Sequence, residues 1–241
     1  MARVPRPRDF EGATYHVFNR GVARMLTAID TADYQRTLHF LGKMIARFEL
    51  RCHAWCYMPN HYHLLLTSQL GNLPDAMQWL GTCVAQSFNE CHERSGHVYK
   101  GRFESRLVAD DPYFLELARY IPLNPVRAGL TATPEDWQWS SYAATANLCP
   151  SPPFLASERM LSILGSPKAY IRWVADGVTV NPLDEWGAPK KPSLASILRS
   201  LTDAAIAAAH LEHGYTKAAI AQALGVSPGK LAWRMRGTPG W

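Results

Sequence analysis

The chain has 241 residues, of which 47% are hydrophobic and 19% are charged. This composition excludes an intrinsically disordered protein, and the length suffices for one catalytic domain with a small appended unit. The 25 Lys and Arg residues exceed the 20 Asp and Glu residues and give a net charge of +5, which favours a polyanionic partner.

In the predicted catalytic domain, strands are recognised by alternation of aromatic and β-branched residues, and helices by apolar residues at helical spacing after a capping residue. In chain order, these signals predict a strand over 13–20, a helix from Asp30 or Thr31, strands over 51–58 and 61–68, a helix from Pro74 to about Arg94, a strand over 105–109 and a helix that begins at Asp110 or Asp111. The order βαββαβ followed by a helix indicates an α+β fold with a ferredoxin-like antiparallel sheet, in which the first two helices cover one face.

The segment 146–192 differs from the residues before it, because it contains seven prolines. We interpret it as a partly ordered connector with short helices near 157–164 and near Tyr170. The residues after Pro192 become Ala-rich, and a helix is expected over 194–212. The predicted domains are therefore 1–145, a connector over 146–192 and a helical domain over 193–241.

The sequence predicts a soluble protein of the reducing cytoplasm that does not contact a membrane. No N-terminal signal peptide is recognisable, and no window reaches the roughly 20 apolar residues of a membrane helix. The five cysteines lack the spacing of a disulfide framework. Cys52 and Cys56 are expected to share one strand face that His53 does not, and core packing is preferred to a metal site for these three. His16, His92 and His97 are also interpreted as structural or surface residues.

A pair of histidines lies two residues apart on the third predicted strand. Because strand side chains alternate between faces, His61 and His63 point to the same side of the sheet and Tyr62 to the other. Two imidazoles on one face can bind one metal ion, although most such pairs in strands are simply hydrogen-bonded.

A tyrosine and an asparagine lie four residues apart on the last predicted helix of the catalytic domain. This spacing places Tyr120 and Asn124 on one helix face, where the phenol could attack a phosphate and the amide oxygen could bind a metal. Pro122 lies between them and predicts either a kink or the start of a helix near this position, because proline removes a backbone donor. An ordinary packed aromatic with Asn124 as a helix cap is the alternative.

The last 26 residues contain the pattern of a helix-turn-helix over 216–236. Thr216 and Ser227 can cap two helices, and Gly225 permits the tight turn between them. Lys230, Arg234 and Arg236 would then face DNA. A helical hairpin used for dimerisation is the alternative.

Several motifs, taken in this order, resemble the IS200-like transposase family and its branch of REP-associated tyrosine transposases. The motifs that carry the resemblance between Tyr15 and Ala144 are YHVFNRG, AWCYMPNHYHLLL, GHVYKGRFESRLV, LARYIPLNPVRAGL and WQWSSYAA. The resemblance implies the HUH fold, in which two histidines flank a large hydrophobic residue and a helix carries the catalytic tyrosine.

The resemblance implies a role for each of the residues singled out above. His61 and His63 match the metal ligands, Tyr120 matches the nucleophile, and Asn124 lies at the position of a polar third ligand. Mg²⁺ or Mn²⁺ is the implied cofactor. The implied activity is cleavage and rejoining of single-stranded DNA through a 5′-phosphotyrosine intermediate at sites next to REP-like hairpins, by a monomer or a homodimer.

Basic residues near these motifs are the candidates for binding single-stranded or hairpin DNA. Lys100, Arg102 and Arg106 are interleaved with Tyr99 and Phe103, a mixture that fits backbone contact with base stacking. A solvated turn with two aromatics in the core is the alternative. The remaining candidates in the catalytic domain are Arg20, Arg119 and Arg127.

Two other functions compete with the nuclease-transposase. The first is a regulator that binds hairpin DNA with little or no cleavage activity. The second is a metal-dependent phosphodiesterase that uses the two histidines as an acid-base pair, which predicts that activity survives Tyr120→Phe.

Overall fold

The computed structural model describes residues 9–178, 183, 197–200, 202–211, 215–236 and 238. The chain divides into two compact units, Met1–Pro189 and Lys190–Trp241. The predicted boundary between residues 192 and 193 lies outside the described residues.

The first unit contains four strands and seven α-helices among the described residues. In chain order they are β1 (Ala13–Arg20), α1 (Thr31–Arg47), β2 (Leu50–Met58), β3 (His61–Ser68), α2 (Leu73–Cys91), β4 (Glu104–Leu107), α3 (Asp111–Tyr120), α4 (Asn124–Arg127), α5 (Tyr142–Thr145), α6 (Glu158–Leu164) and α7 (Pro167–Asp176).

The four strands form one sheet in the order β2-β3-β1-β4. Every neighbouring pair is antiparallel, and the register places Arg20 opposite His61 and Phe18 opposite His63. This topology confirms the predicted α+β fold, with the ferredoxin-like strand order that results when β1 lies between β3 and β4.

The two faces of the sheet are buried against different helices. On one face, Val17, Tyr62 and Leu64 pack with buried residues of α1 and α2. On the other face, Leu65 and Cys56 pack with buried residues of α3, α6 and α7. The first two helices therefore cover one face as predicted, and the later helices cover the face to which His63 belongs.

Residues 146–178 contain the two expected helices, α6 and α7. Met160 of α6 and Tyr170 and Val174 of α7 are fully buried in the same core as Phe114 of α3. Burial of three large side chains holds these helices against the sheet, because the hydrophobic effect stabilises each by roughly 1.5–3 kcal/mol.

The helix that carries Tyr120 is shorter than predicted. Asp110 caps its start by accepting a hydrogen bond from the backbone N–H of Tyr113 at 2.7 Å. The helix ends at Tyr120, a three-residue turn containing Pro122 follows, and α4 begins at Asn124. Tyr120 and Asn124 are thus not on one continuous helix, because proline ends or bends a helix.

Among its described residues, the second unit contains a short 3₁₀ helix (Leu198–Ser200) and three α-helices: α8 (Asp203–Leu211), α9 (Lys217–Ala223) and α10 (Pro228–Arg234). The single helix expected over 194–212 is wrong in its described part, because the chain changes from 3₁₀ to α-helix at Thr202. The hydroxyl of Thr202 accepts a hydrogen bond from the N–H of Ala205, as an N-terminal cap does.

The cap residues predicted for the last two helices are correct. Thr216 and Ser227 accept hydrogen bonds from backbone N–H groups three residues further on. Gly225 between the helices has a φ of +65°, a conformation that favours glycine. Ile220 and Leu231 bury the contact between these helices.

Candidate active site

The histidine pair lies on the sheet face covered by α3. The imidazole centroids of His61 and His63 are 5.2 Å apart with the rings nearly perpendicular. His63 is completely buried, whereas His61 at the start of β3 is partly exposed. Tyr62 points to the opposite face, as strand alternation predicts. The pair therefore extends from the partly exposed end of β3 into the buried interior of this sheet face.

His16 on β1 is part of this site, and its interpretation as a structural or surface residue missed that. Its Nε2 lies 2.9 Å from Nδ1 of His63, and the two rings stack with centroids 5.1 Å apart. His16 is 0% exposed. The only sequence signal was that His16 lies two residues from Phe18 on one strand, so that both side chains share a face. The pairing of β1 with β3 then decides which residues of β1 adjoin His63.

Hydrogen bonds on the Nδ1 atoms orient both imidazoles. His61 Nδ1 donates to the side-chain oxygen of Asn60 at 2.7 Å. His63 Nδ1 bonds to His16. Such an outer hydrogen bond fixes the ring and the tautomer of a metal-binding histidine, so Nε2 is the nitrogen with which His61 would bind a metal. Nε2 of His63 is available in the tautomer in which its Nδ1 donates to His16.

Both imidazoles are held in the neutral form that metal binding requires. Burial, followed by the nearby charge of Arg20, lowers the pKa of His61 to about 4. Burial lowers the pKa of His63 well below its usual value, with further contributions from His16, His61 and the guanidinium groups of Arg20 and Arg106.

Tyr120 at the end of α3 lies beside the histidines. Its ring meets the His63 ring edge-on at 5.5 Å and the His16 ring edge-on at 6.1 Å. Only 3% of Tyr120 is exposed. A phosphate can therefore reach the phenol only at that small exposed part or after a local rearrangement.

Asn124 stabilises the turn that follows Tyr120. Its side-chain NH₂ donates to the backbone carbonyls of Tyr120 at 3.0 Å and Ile121 at 3.2 Å. Since the nitrogen is used in this way, the amide oxygen is the atom that could bind a metal. Asn124 thus reaches Tyr120 through a turn rather than through the one-helix spacing predicted.

The two arginines that flank Tyr120 in the sequence lie in packed surroundings. Arg119 is 7% exposed, stacks over Trp173 of α7 at 4.2 Å and pairs with Glu116. Arg127 lies over the Tyr120 ring at 5.4 Å and donates to the carbonyl of Gly177 at 3.0 Å. Both guanidinium groups therefore connect the tyrosine helix to α7.

Other predicted DNA-binding residues surround the open end of the site. Arg20 is opposite His61 on the neighbouring strand, and Arg106 lies over the Phe18 ring at 5.4 Å. Lys100 and Arg102 are exposed in the segment that leads into β4. The backbone N–H of Lys100 donates to the carbonyl of Arg20 at 2.9 Å, which joins this segment to the end of β1.

The predicted DNA-binding residues of the second unit are exposed on or after α10. Arg234 pairs with Asp203 at 2.7 Å, an exposed ion pair of the kind that contributes at most about 1 kcal/mol. Lys230 and Arg236 are exposed as well.

The expectation that Cys52 and Cys56 share one face of their strand is wrong, because β2 contains a bulge at His53. The register shifts between Cys52 and Ala54, so the two cysteines pack on opposite faces of the sheet. An inserted residue reverses the alternation of all that follow it. Both thiols are buried, and burial raises the pKa of each, which agrees with core packing.

No group of three or more His, Cys, Asp or Glu side chains with metal-binding geometry occurs in the described part of the chain. A metal held by His61 and His63 would therefore need its other ligands from Asn124, the substrate or water. No helix among the described residues is both long and apolar enough to cross a lipid bilayer.

Three comparisons with known proteins agree with each other. Residues 10–124 match the family model of IS200-like transposases. A REP-associated tyrosine transposase of Haemophilus influenzae is 29% identical over 100 residues, a match that covers 37% of this chain and 57% of that relative. The present chain therefore aligns with little more than half of the relative's length.

One solved structure is similar in fold, and a second was compared with this chain. A REP-associated tyrosine transposase bound to a REP hairpin superposes with a TM-score of 0.53 and 19% identity, over 65% of this chain and 92% of that one. A transposase of Deinococcus radiodurans gives a TM-score of 0.36 with 17% identity over 49% of this chain and 95% of that one.

Proposed function

We propose, because residues 10–124 match the family model of IS200-like transposases, that this protein is a metal-dependent tyrosine endonuclease and strand transferase that acts on single-stranded DNA. The observation that carries the proposal is the edge-on approach of Tyr120 to His63 at 5.5 Å, beside the second histidine of the pair. A nucleophile and a pair of metal-binding nitrogens are thereby brought to one place from β3 and α3.

Tyr120 is the nucleophile of the proposed reaction. Its phenol oxygen bonds to phosphorus, the bond from phosphorus to the 3′ oxygen breaks, and the 5′ side stays attached as a phosphotyrosine. The phenol loses one proton and the departing 3′ oxygen gains one, so the exchange is balanced. A later 3′-hydroxyl reverses the step and rejoins the strand. Phenol suits this role because its pKa near ~10 makes it a good leaving group.

The residues present fit a divalent ion. His61 and His63 would hold it through Nε2, and the amide oxygen of Asn124 is the candidate third ligand. When bound, Mg²⁺ or Mn²⁺ would polarise the scissile phosphate as a Lewis acid. Mn²⁺ accepts imidazole nitrogen more readily than Mg²⁺, which prefers oxygen ligands.

The positive charges around the site support a DNA substrate. Arg20 and Arg106 lie on the same sheet face as the histidines, and Lys100 and Arg102 lie beyond the end of β1. The solved REP-associated tyrosine transposase of similar fold is bound to a REP hairpin. We therefore propose single-stranded DNA next to a REP-like hairpin as the substrate.

The position of Arg127 over the Tyr120 ring suggests a positioning role rather than a DNA contact. Its Nη2 is anchored on the carbonyl of Gly177, and its Nη1 is buried without a hydrogen-bond partner among the described residues. A fixed guanidinium beside the phenol would favour the charge that develops on the attacking oxygen. Arg119, buried against Trp173, would hold the helix itself.

The low exposure of Tyr120 favours one competing function, a hairpin-binding regulator without cleavage. A covalent-adduct assay separates the two. The wild type and Tyr120→Phe are incubated with single-stranded hairpins from the genomic sequence that flanks the gene, with Mg²⁺, with Mn²⁺ or with EDTA. We expect a denaturation-resistant protein–DNA adduct in the wild type with metal, and none in Tyr120→Phe or in EDTA.

The histidine pair is tested in the same assay. His61→Ala and His63→Ala are expected to abolish the adduct while leaving hairpin binding detectable. Tight binding without an adduct in any protein would support the regulator instead. Cleavage by Tyr120→Phe would refute the tyrosine nucleophile and support a hydrolytic metal enzyme.

A further inference from the structure

A groove of about 790 Å³ lies on the sheet face opposite the histidine pair. It is bordered by α2 and by the segment 96–103, and three aromatic side chains line it: Tyr62, Tyr99 and Phe103. This volume is within the range of roughly 300–1,000 Å³ that is typical of ligand sites.

Glycines on two sides of the groove keep it open. Gly81 lies in the middle of α2, where glycine is a poor helix former. A Cβ added at Gly81 would meet no atom within 4 Å, and the same holds for Gly101 on the opposite side. Packing within the chain therefore does not require these glycines, and the absent side chains leave space for a molecule in the groove.

The polar lining of the groove fits a nucleobase. Gln78, Gln86 and Asn89 offer amide groups. The side-chain oxygen of Asn89 is buried without a hydrogen-bond partner among the described residues. Amides above an aromatic surface can bind base edges while the base stacks on a ring.

The positive charge at the rim of the groove favours a polyanionic ligand. Arg102 lines the groove and is exposed, and Lys100 is exposed two residues before it. A positively charged edge beside stacking aromatics is the combination used to bind single strands without reading sequence.

The groove and the candidate active site meet at the end of β1. Asn19 lines the groove and donates to the carbonyl of Gly101 at 3.1 Å, and its neighbour Arg20 is opposite His61. A strand that leaves the active site past Arg20 would therefore reach the groove directly around the segment 98–101.

We propose that this groove holds unpaired bases of the single-stranded DNA, next to the phosphate that is cleaved. The inference rests on the proposed function. It assigns one face of the sheet to chemistry and the opposite face to capture of the unpaired strand, with Lys100 and Arg102 holding the backbone between them.

The test fills the groove without touching the chemistry. Gly81→Leu and Gly101→Leu are made in the full chain, each in a Tyr120→Phe background so that binding is measured without reaction. Cys83→Leu adds bulk to α2 at a partly exposed position that does not line the groove and serves as the matched control. Binding of a fluorescent 20-nucleotide oligothymidylate and of a duplex of equal length is measured by anisotropy, with thermal melts to verify folding.

We expect each glycine variant to weaken binding of the single strand by about tenfold, the effect of losing roughly one stacked base, whereas Cys83→Leu stays within about twofold. Duplex binding should be unchanged in all variants. An oligothymidylate containing 5-iodouracil should crosslink to Tyr99 or Phe103.

Unchanged single-strand binding in both folded glycine variants would refute the proposal that the groove holds unpaired bases. If the wild type still forms the covalent adduct with hairpin DNA, the proposed function stands while the groove assignment is rejected. If the wild type neither binds oligothymidylate nor forms an adduct, both proposals are rejected.

Discussion

Replacing Gly177 by alanine should destabilise the protein because it forces a new side chain into a buried arginine. Gly177 follows α7 with a φ of −80°, a value that alanine adopts without strain. A Cβ at this position would lie 2.3 Å from Cδ, 2.7 Å from Cγ and 2.8 Å from Nε of Arg119. The effect of the substitution is therefore one of packing alone.

The side chain of Arg119 has little room to move away from the added methyl group. Its guanidinium lies 4.2 Å from the Trp173 ring centroid, its Nη2 donates to Glu116, and 7% of its surface is exposed. To reach an ordinary van der Waals separation from the added Cβ, the Cδ atom of Arg119 must shift by about 1 Å. Overpacking of this kind costs roughly 1–3 kcal/mol, so we expect a loss near 2 kcal/mol and a Tm about 4–8 °C lower.

Urea unfolding and thermal melts of the full chain measure this loss, with Gly81→Ala as the matched control. The same substitution at Gly81 meets no atom within 4 Å and should stabilise α2 by up to about 1 kcal/mol. Because Arg119 precedes Tyr120 on α3, Gly177→Ala should also reduce adduct formation. A Gly177→Ala protein as stable as the wild type would refute the reasoning.

Three further predictions concern acid stability, Tyr120 and the start of its helix. Burial lowers the pKa of His53 to about 4, so the unfolded chain binds the proton more readily than the folded chain. The contribution of His53 to the free energy of unfolding is therefore complete above about pH 6.5 and falls by about 3 kcal/mol by pH 4. In urea unfolding across this range, His53→Gln should lose less stability than the wild type, and equal losses would contradict the assignment. Arg127→Met should slow single-turnover adduct formation at least about tenfold with little change in hairpin Kd, whereas a change in Kd alone would indicate a DNA contact. Asp110→Ala removes the cap on the Tyr113 N–H and should lower the free energy of unfolding by about 1 kcal/mol in urea titrations, while Asp75→Ala on α2, which makes no such bond, serves as its control.

Local signals in the amino-acid sequence predict much of this molecule. The bounds of β1 and β3 agree with the structure, and Asp30, Asp110, Thr216 and Ser227 cap helices as their side chains predict. These features depend on neighbours within a few residues, so they can be inferred from spacing and residue type. The shared face of His61 and His63 follows in the same way from strand alternation.

Features that depend on distant pairs of residues could not be inferred in this way. His16 contacts His63 across 47 positions because β1 pairs with β3, and Arg127 contacts Gly177 across 50. The bulge at Cys52 changes which side chains share a face, and the turn after Tyr120 changes how Asn124 reaches it. The physical reason is that sequence periodicity specifies which face of an element is buried, whereas strand register and helix packing specify which residues meet there.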